Sequence, residues 1–191
     1  YYHKGTFKDQ LVYKEQEVNV DLDLAHLKKL NAPIKLKIEK DGNQYLVTGS
    51  YYIPVDAFSS QKEPVKIEKT LASLPASINT RVGTLSFTKN GNFKLKDGES
   101  LKAIIVSPEM AASGYAKALA VSQTSKTTTI AELVLKDEDP QRSIDYLNTL
   151  IKVYNRQANE DKNEISYRTE QFINQRLEKI NNELGNTEGQ L

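Results

Sequence analysis

Residues 139–184 read as one unbroken helix of roughly 45 residues, about 68 Å at 1.5 Å per residue, longer than a small domain can bury along its whole length. Its start is marked by Asp137 and Asp139, whose carboxylates can accept from free first-turn amides. Pro140 follows where a missing N–H costs nothing. Ile144, Leu147, Ile151, Tyr154 and Ala158 recur three and four residues apart and share one stripe, so this half is expected to pack on something. From residue 160 to 179 the register is interrupted by Asp161 and Arg168. Ile165, Phe172, Ile173, Leu177, Ile180 and Leu184 keep an apolar component among many charges, the pattern of a helix that projects beyond its domain.

The chain has 191 residues, enough for one core with a helical extension and too few for two full domains. Residues 1–138 are taken as an α+β base domain and 139–191 as the long C-terminal helix. With 26 basic and 25 acidic side chains, no bulk charge draws it to nucleic acid or to an anionic surface. There is no cysteine, which excludes disulfides, thiolate metal sites and cysteine nucleophiles. No apolar run reaches the ~18 residues a membrane span needs. The chain opens at Tyr1 and stops at Leu191 in helix-like sequence, as a piece cut from a longer protein would.

Val18, Val20, Leu22 and Leu24 alternate with polar residues, so a strand is expected near residues 16–24. Ile34, Leu36 and Ile38 alternate likewise, and Asp41-Gly42 before residues 44–47 predicts a hairpin. Residues 58–79 lack clear periodicity and read as an irregular connection, in which Lys66, Ile67 and Leu71 could belong to short elements between turns. Asn90-Gly91, between 83–89 and 92–96, predicts a second hairpin, with Leu85 and Phe87 on one face and Thr84, Ser86 and Thr88 on the other. Residues 101–106 read as a central strand. Ser107 and Pro108 start a short helix to about residue 119, and the threonine-rich stretch 121–135 reads as one long strand entering the final helix. Together these predict an α+β domain: a small antiparallel or mixed sheet, helices packed on one side, and one long protruding C-terminal helix.

Chemistry-bearing patterns are sparse. Ser125-Lys126-Thr127 has the tail of a phosphate loop without its upstream glycines, and reads as a threonine-rich strand with an exposed lysine. Asp21 and Asp23 could hold a metal-bound nucleotide, but alternate acids are usual on a strand's polar face. His3 and His26 stand far apart with no carboxylate constellation around them. No nucleophile elbow occurs, and no acid pair has a context that separates its proton affinities. No catalytic residue, cofactor or metal site is therefore expected in this chain. Tyr1, Tyr2, Tyr51 and Tyr52 are the most clustered aromatics; core or edge packing is the expected use, a sugar-stacking surface the alternative.

Three runs resemble a known family: Ala118-Leu119-Ala120-Val121-Ser122-Gln123-Thr124-Ser125-Lys126-Thr127-Thr128, then Asp139-Pro140-Gln141-Arg142, then Leu147-Asn148-Thr149-Leu150-Ile151-Lys152-Val153-Tyr154-Asn155. With Phe172-Ile173-Asn174-Gln175-Arg176-Leu177 and Asn182-Glu183-Leu184-Gly185, they are similar to the periplasmic part of polysaccharide co-polymerases, or chain-length determinants, in the form fused to a cytoplasmic tyrosine kinase in Bacteroides-like bacteria. The resemblance covers residues 83–191 well and residues 1–30 loosely, while residues 62–80 carry no distinctive motif, so about half the chain carries it. It implies an inner-membrane protein whose periplasmic base and long helix assemble side by side into a ring that sets the length of exported capsular or exopolysaccharide. Partners would be further copies of the chain, the polymerase or export machinery, and a glycan; any kinase activity would reside elsewhere. On this reading Ile144, Leu147 and Ile151 lock the helix onto the sheet, while Arg168, Phe172, Arg176 and Leu177 meet a neighbouring protomer. A periplasmic adaptor of an export system and a carbohydrate-binding module are the alternatives; the first normally needs a helical hairpin, and the second leaves the helix without a role.

Overall fold

The computed structural model describes residues 1–4, 9–55, 61–91, 93–125 and 129–188, with side chains described as far as residue 181. It divides into two units, residues 1–143 and 144–191. The first is built on antiparallel strands, and the second is helical, so the α+β class holds.

In chain order the elements are β1 (Tyr2–His3), β2 (Gln10–Leu11), β3 (Val18–Leu22), α1 (Leu24–Lys29), β4 (Ile34–Asp41), β5 (Gln44–Pro54), β6 (Lys62–Leu71), β7 (Ala76–Thr80), β8 (Gly83–Lys89), β9 (Ser100–Ile105), α2 (Pro108–Ala118), β10 (Leu119–Gln123), β11 (Ala131–Leu135) and α3 (Pro140–Glu188). They form a six-stranded sheet in the order β2-β1-β9-β4-β5-β6, a three-stranded sheet β3-β8-β7, and a separate β10-β11 ribbon. Alternation decides which side chains go inward. Ile34, Leu36 and Ile38 of β4, Tyr45, Val47 and Tyr51 of β5, and Leu101 and Ala103 of β9 are buried, as are Val18, Val20 and Leu22 of β3 and Leu85 and Phe87 of β8. These residues form one core cluster drawn from both large sheets.

The first hairpin forms as expected, extended to Pro54 on its return strand. Its two-residue turn places Gly42 at φ +58°, a conformation glycine adopts without penalty. The strand near residue 20, the central β9 and the Ser107-capped α2 also form; Ser107 Oγ accepts from the Met110 amide at 3.3 Å. Neither α1 nor α2 contains a fully buried residue, and only Leu27 and Met110 lean on the core.

Four expectations are corrected. Residues 62–71, read as irregular, form the ten-residue edge strand β6, paired with β5 throughout. Its core-facing row Val65, Ile67, Leu71 is broken by Lys69, and its outer positions carry charges and Pro64, devices that keep an edge from pairing further. Residues 76–80 likewise form β7, while Phe58 lies outside the described residues. The second hairpin does not form: β8 is paired by β3 on one edge and β7 on the other, so the chain after Gly91 leaves the sheet and residues 93–96 take no strand. Asn92 lies outside the described residues. The long strand over 121–135 is instead the β10-β11 ribbon, with Leu119 opposite Leu135 and Gln123 opposite Ala131; Lys126, Thr127 and Thr128 lie outside the described residues. Finally, Leu24 opens α1 rather than closing β3, because Asp23 caps a helix there, its Oδ1 accepting from the His26 amide at 3.1 Å.

Candidate functional site

The long helix α3 is the largest surface the sequence singled out. It runs for 49 residues, about 73 Å at 1.5 Å per residue. Polar groups set its start. Asp139 Oδ1 accepts from the Arg142 amide at 2.9 Å, and Asp137 receives the Arg142 guanidinium, with Nε 2.7 Å from Oδ2. The Asp137 carboxylate is almost fully buried, and the guanidinium beside it holds its pKa below the usual carboxylate range. Within the helical unit, Ile144 is 51% and Ile151 45% exposed. Capping and one partly buried ion pair define the helix start.

At about 100° per residue, Ile144, Leu147, Ile151, Tyr154, Ala158, Ile165, Phe172, Ile173, Arg176, Leu177 and Ile180 fall within roughly 140° of arc. Phe172 is 67% exposed, Ile165 65% and Leu177 52%. Of the four interface candidates, Phe172, Arg176 and Leu177 lie in this stripe. Arg168 lies at its flank and pairs with Glu164 one turn back on the same helix. Arg156 and Glu160 make a similar i,i+4 contact at 3.9 Å. Such exposed pairs contribute a few tenths of a kcal/mol, about 0.3–0.5 each, and leave the apolar stripe as the feature of consequence.

Within residues 1–143 the strongest polar centre is Glu17, which sequence reasoning missed because it sits in an unremarkable charged run. Its side chain is fully buried. Oε1 accepts from the Tyr45 hydroxyl at 2.9 Å and Oε2 from the Leu95 amide, with Lys40 Nζ at 3.6 Å and Lys89 Nζ at 3.9 Å from Oε1. Burial, then the hydrogen bond to Glu17, pushes the Tyr45 hydroxyl up to about 12. One carboxylate thereby ties β4 and β5 of the larger sheet to β8 of the smaller and to the irregular segment after Gly91. That segment is further held by Asp97 Oδ1, which accepts from the Gly42 amide, and by Gly98 N donating to Lys40 O at 2.8 Å. These bonds make Glu17 an organiser of the fold, with both of its oxygens occupied.

Tyr1 and Tyr51 turn inward. The Tyr1 hydroxyl accepts from the Val20 amide at 2.7 Å, and the buried Tyr51 accepts from the Arg81 amide at 3.3 Å, so no four-ring stacking surface exists. Asp21 is exposed on β3, and Asp23 is committed to α1 and to the Thr84 amide at 3.2 Å. His26, expected to lack a carboxylate, has Asp23 Oδ1 at 2.6 Å from Nδ1, a contact that depends on the α1 turn. This contact holds the Asp23 pKa below its ordinary value. His3 packs on Phe93 at a ring distance of 4.9 Å, beside a depression of about 520 Å³ lined by Lys4, Lys37, Glu39 and Glu99. Among the described residues there is no cluster of His, Asp or Glu with metal-binding geometry, and no helix is long and apolar enough to cross a membrane.

Comparison with known protein families, with curated proteins and with solved structures yields no match to this chain.

Proposed function

We propose that this chain is the periplasmic portion of a polysaccharide co-polymerase and acts by assembly, with copies associating through the apolar stripe of α3. The observation that carries the reading is this 49-residue helix whose large apolar side chains stand exposed along one face. Solvating that stripe is unfavourable by about 25 cal/mol per Å² of apolar surface, which associated copies would recover. The base domain's role is then positional: a rigid two-sheet body with a polar-capped helix start sets where each helix begins. The resemblance of three sequence runs to chain-length determinants is what supports the assignment to polysaccharide export at the inner membrane. The polymerase or export machinery and the growing glycan are the partners the reading implies.

Light scattering on the protein carrying its membrane segments, extracted in mild detergent, tests the proposal. A discrete assembly of several protomers is expected. Phe172→Ala with Leu177→Ala should weaken it by about 2–4 kcal/mol per contact, the loss typical of a buried apolar anchor. A strict monomer, or an assembly indifferent to both substitutions, refutes the reading.

A further inference from the structure

Five basic side chains from three separate stretches of sequence gather at one end of the base domain: His26, Lys28 and Lys29 on α1, Lys62 at the start of β6, and Arg81 in the β7-β8 turn. Between them lies a cavity of about 210 Å³ whose lining includes His26, Lys29, Asn31, Tyr52, Pro54 and Arg81. At ~30 Å³ per water it holds roughly seven waters, which is small for an extended ligand and suited to a single polar group. Two features of the fold build it. Gly83, at φ +122°, lets the β7-β8 turn close on α1, since a Cβ there would stand 2.8 Å from Asp23 Oδ2 and from His26 Cβ. The Tyr51 hydroxyl then accepts the Arg81 amide, fixing the turn, and Lys62 Nζ donates to Asn31 O at 2.7 Å, fixing the opposite wall.

Asp23, the carboxylate beside the cavity, already accepts from the His26 amide and faces its imidazole through Oδ1, and accepts from the Thr84 amide through Oδ2. Among the described residues neither Lys29 nor Arg81 has an ion-pair partner. A guanidinium and an ammonium facing one small cavity, with a partly buried tyrosine and a proline as apolar wall, match an oxyanion carried on a short carbon skeleton.

We propose that this cavity binds a carboxylate or phosphate group, presented by an acidic sugar unit or by a lipid headgroup. The proposal is independent of the assembly reading, since none of these residues lies on α3. It is tested by amide-resolved NMR titration of the 191-residue chain with galacturonate, with glucose 1-phosphate and with neutral galactose. Sedimentation with phosphatidylglycerol and phosphatidylcholine vesicles completes the set. Saturable shifts at Asn31, Tyr52 and Val82 with the two anions and none with galactose are expected, weakened at least tenfold in Arg81→Gln and Lys29→Gln and unchanged in Lys37→Gln. Binding confined to phosphatidylglycerol vesicles, and lost in the same two variants, supports the site with a headgroup as its source. No binding to any anion, an equal response to galactose, or affinity unaffected by both substitutions overturns it. Both residues are exposed, so the variants are expected to fold, and an unchanged amide spectrum outside the cavity verifies it.

Discussion

Removing the Glu17 carboxylate should cost more stability than any other single polar deletion in the base domain. In Glu17→Ala the Tyr45 hydroxyl and the Leu95 amide lose their acceptor in a dry site, and Lys40, 3.6 Å away, loses its counter-charge. Each unmet buried group costs about 1–3 kcal/mol, so a total near 4 kcal/mol is expected, within the roughly 3–5 seen when one partner of a buried charged network is removed. Tyr45→Phe removes only the charge-assisted bond and should cost about 1.5–3 kcal/mol. In the double variant the bond is already gone, so its loss should fall short of the sum by about 1–2 kcal/mol. Urea unfolding followed by tyrosine fluorescence reads all four corners of the cycle, the chain having ten tyrosines and no tryptophan. Alkaline titration supplies an independent check. The folded-state pKa of Tyr45 is about 12 against 10 for the free group. Its contribution is therefore complete below pH ~10 and is lost as pH rises toward 12, because the unfolded chain gives up this proton first. Tyr45→Phe should flatten that part of the stability profile. A Glu17→Ala cost below about 1 kcal/mol, or strict additivity with Tyr45→Phe, would refute the account of Glu17 as the tie between the sheets.

Gly49→Ala should be severely destabilising, by roughly 3–5 kcal/mol in the same unfolding assay, because the added Cβ would meet the Lys35 carbonyl oxygen at 2.2 Å and backbone cannot yield as a side chain can. Arg142→Gln should loosen the first turn of α3 by about 1–2 kcal/mol, read as faster amide exchange there. In the parent chain the Asp137–Arg142 contribution is present above the ordinary carboxylate pKa and is lost as pH falls through the depressed folded value; this acid limb should shrink in the variant, the Glu138 and Asp139 amides retaining a smaller part. Asp139→Ala should cost about 1 kcal/mol at the same turn through loss of the amide cap, measured by the same exchange.

The elements legible in the chain are those whose determinants are local. Asp139 and Pro140 announce α3, Ser107 and Pro108 announce α2, and the alternation of Ile34, Leu36 and Ile38 before Gly42 announces a hairpin, because caps, ring-fixed φ angles and period-two burial act over a few residues. The apolar stripe of α3 was readable for the same reason. Strand β6 carries too few inward apolar positions to declare itself and exists because β5 offers it a ten-residue ladder. Asn90-Gly91 carries a local hairpin signal that loses to pairing already complete on both edges of β8. The Glu17 centre and the basic cavity were invisible in the sequence because their members, among them Glu17, Tyr45 and Leu95, or Lys29, Tyr52 and Arg81, stand tens of residues apart. The sequence by itself therefore determined the α+β class, the long helix and its unsatisfied face. Only tertiary structure decided which strands pair, which charge is buried, and where basic side chains from distant stretches collect, since those outcomes depend on contacts between distant segments that no short window of residues encodes.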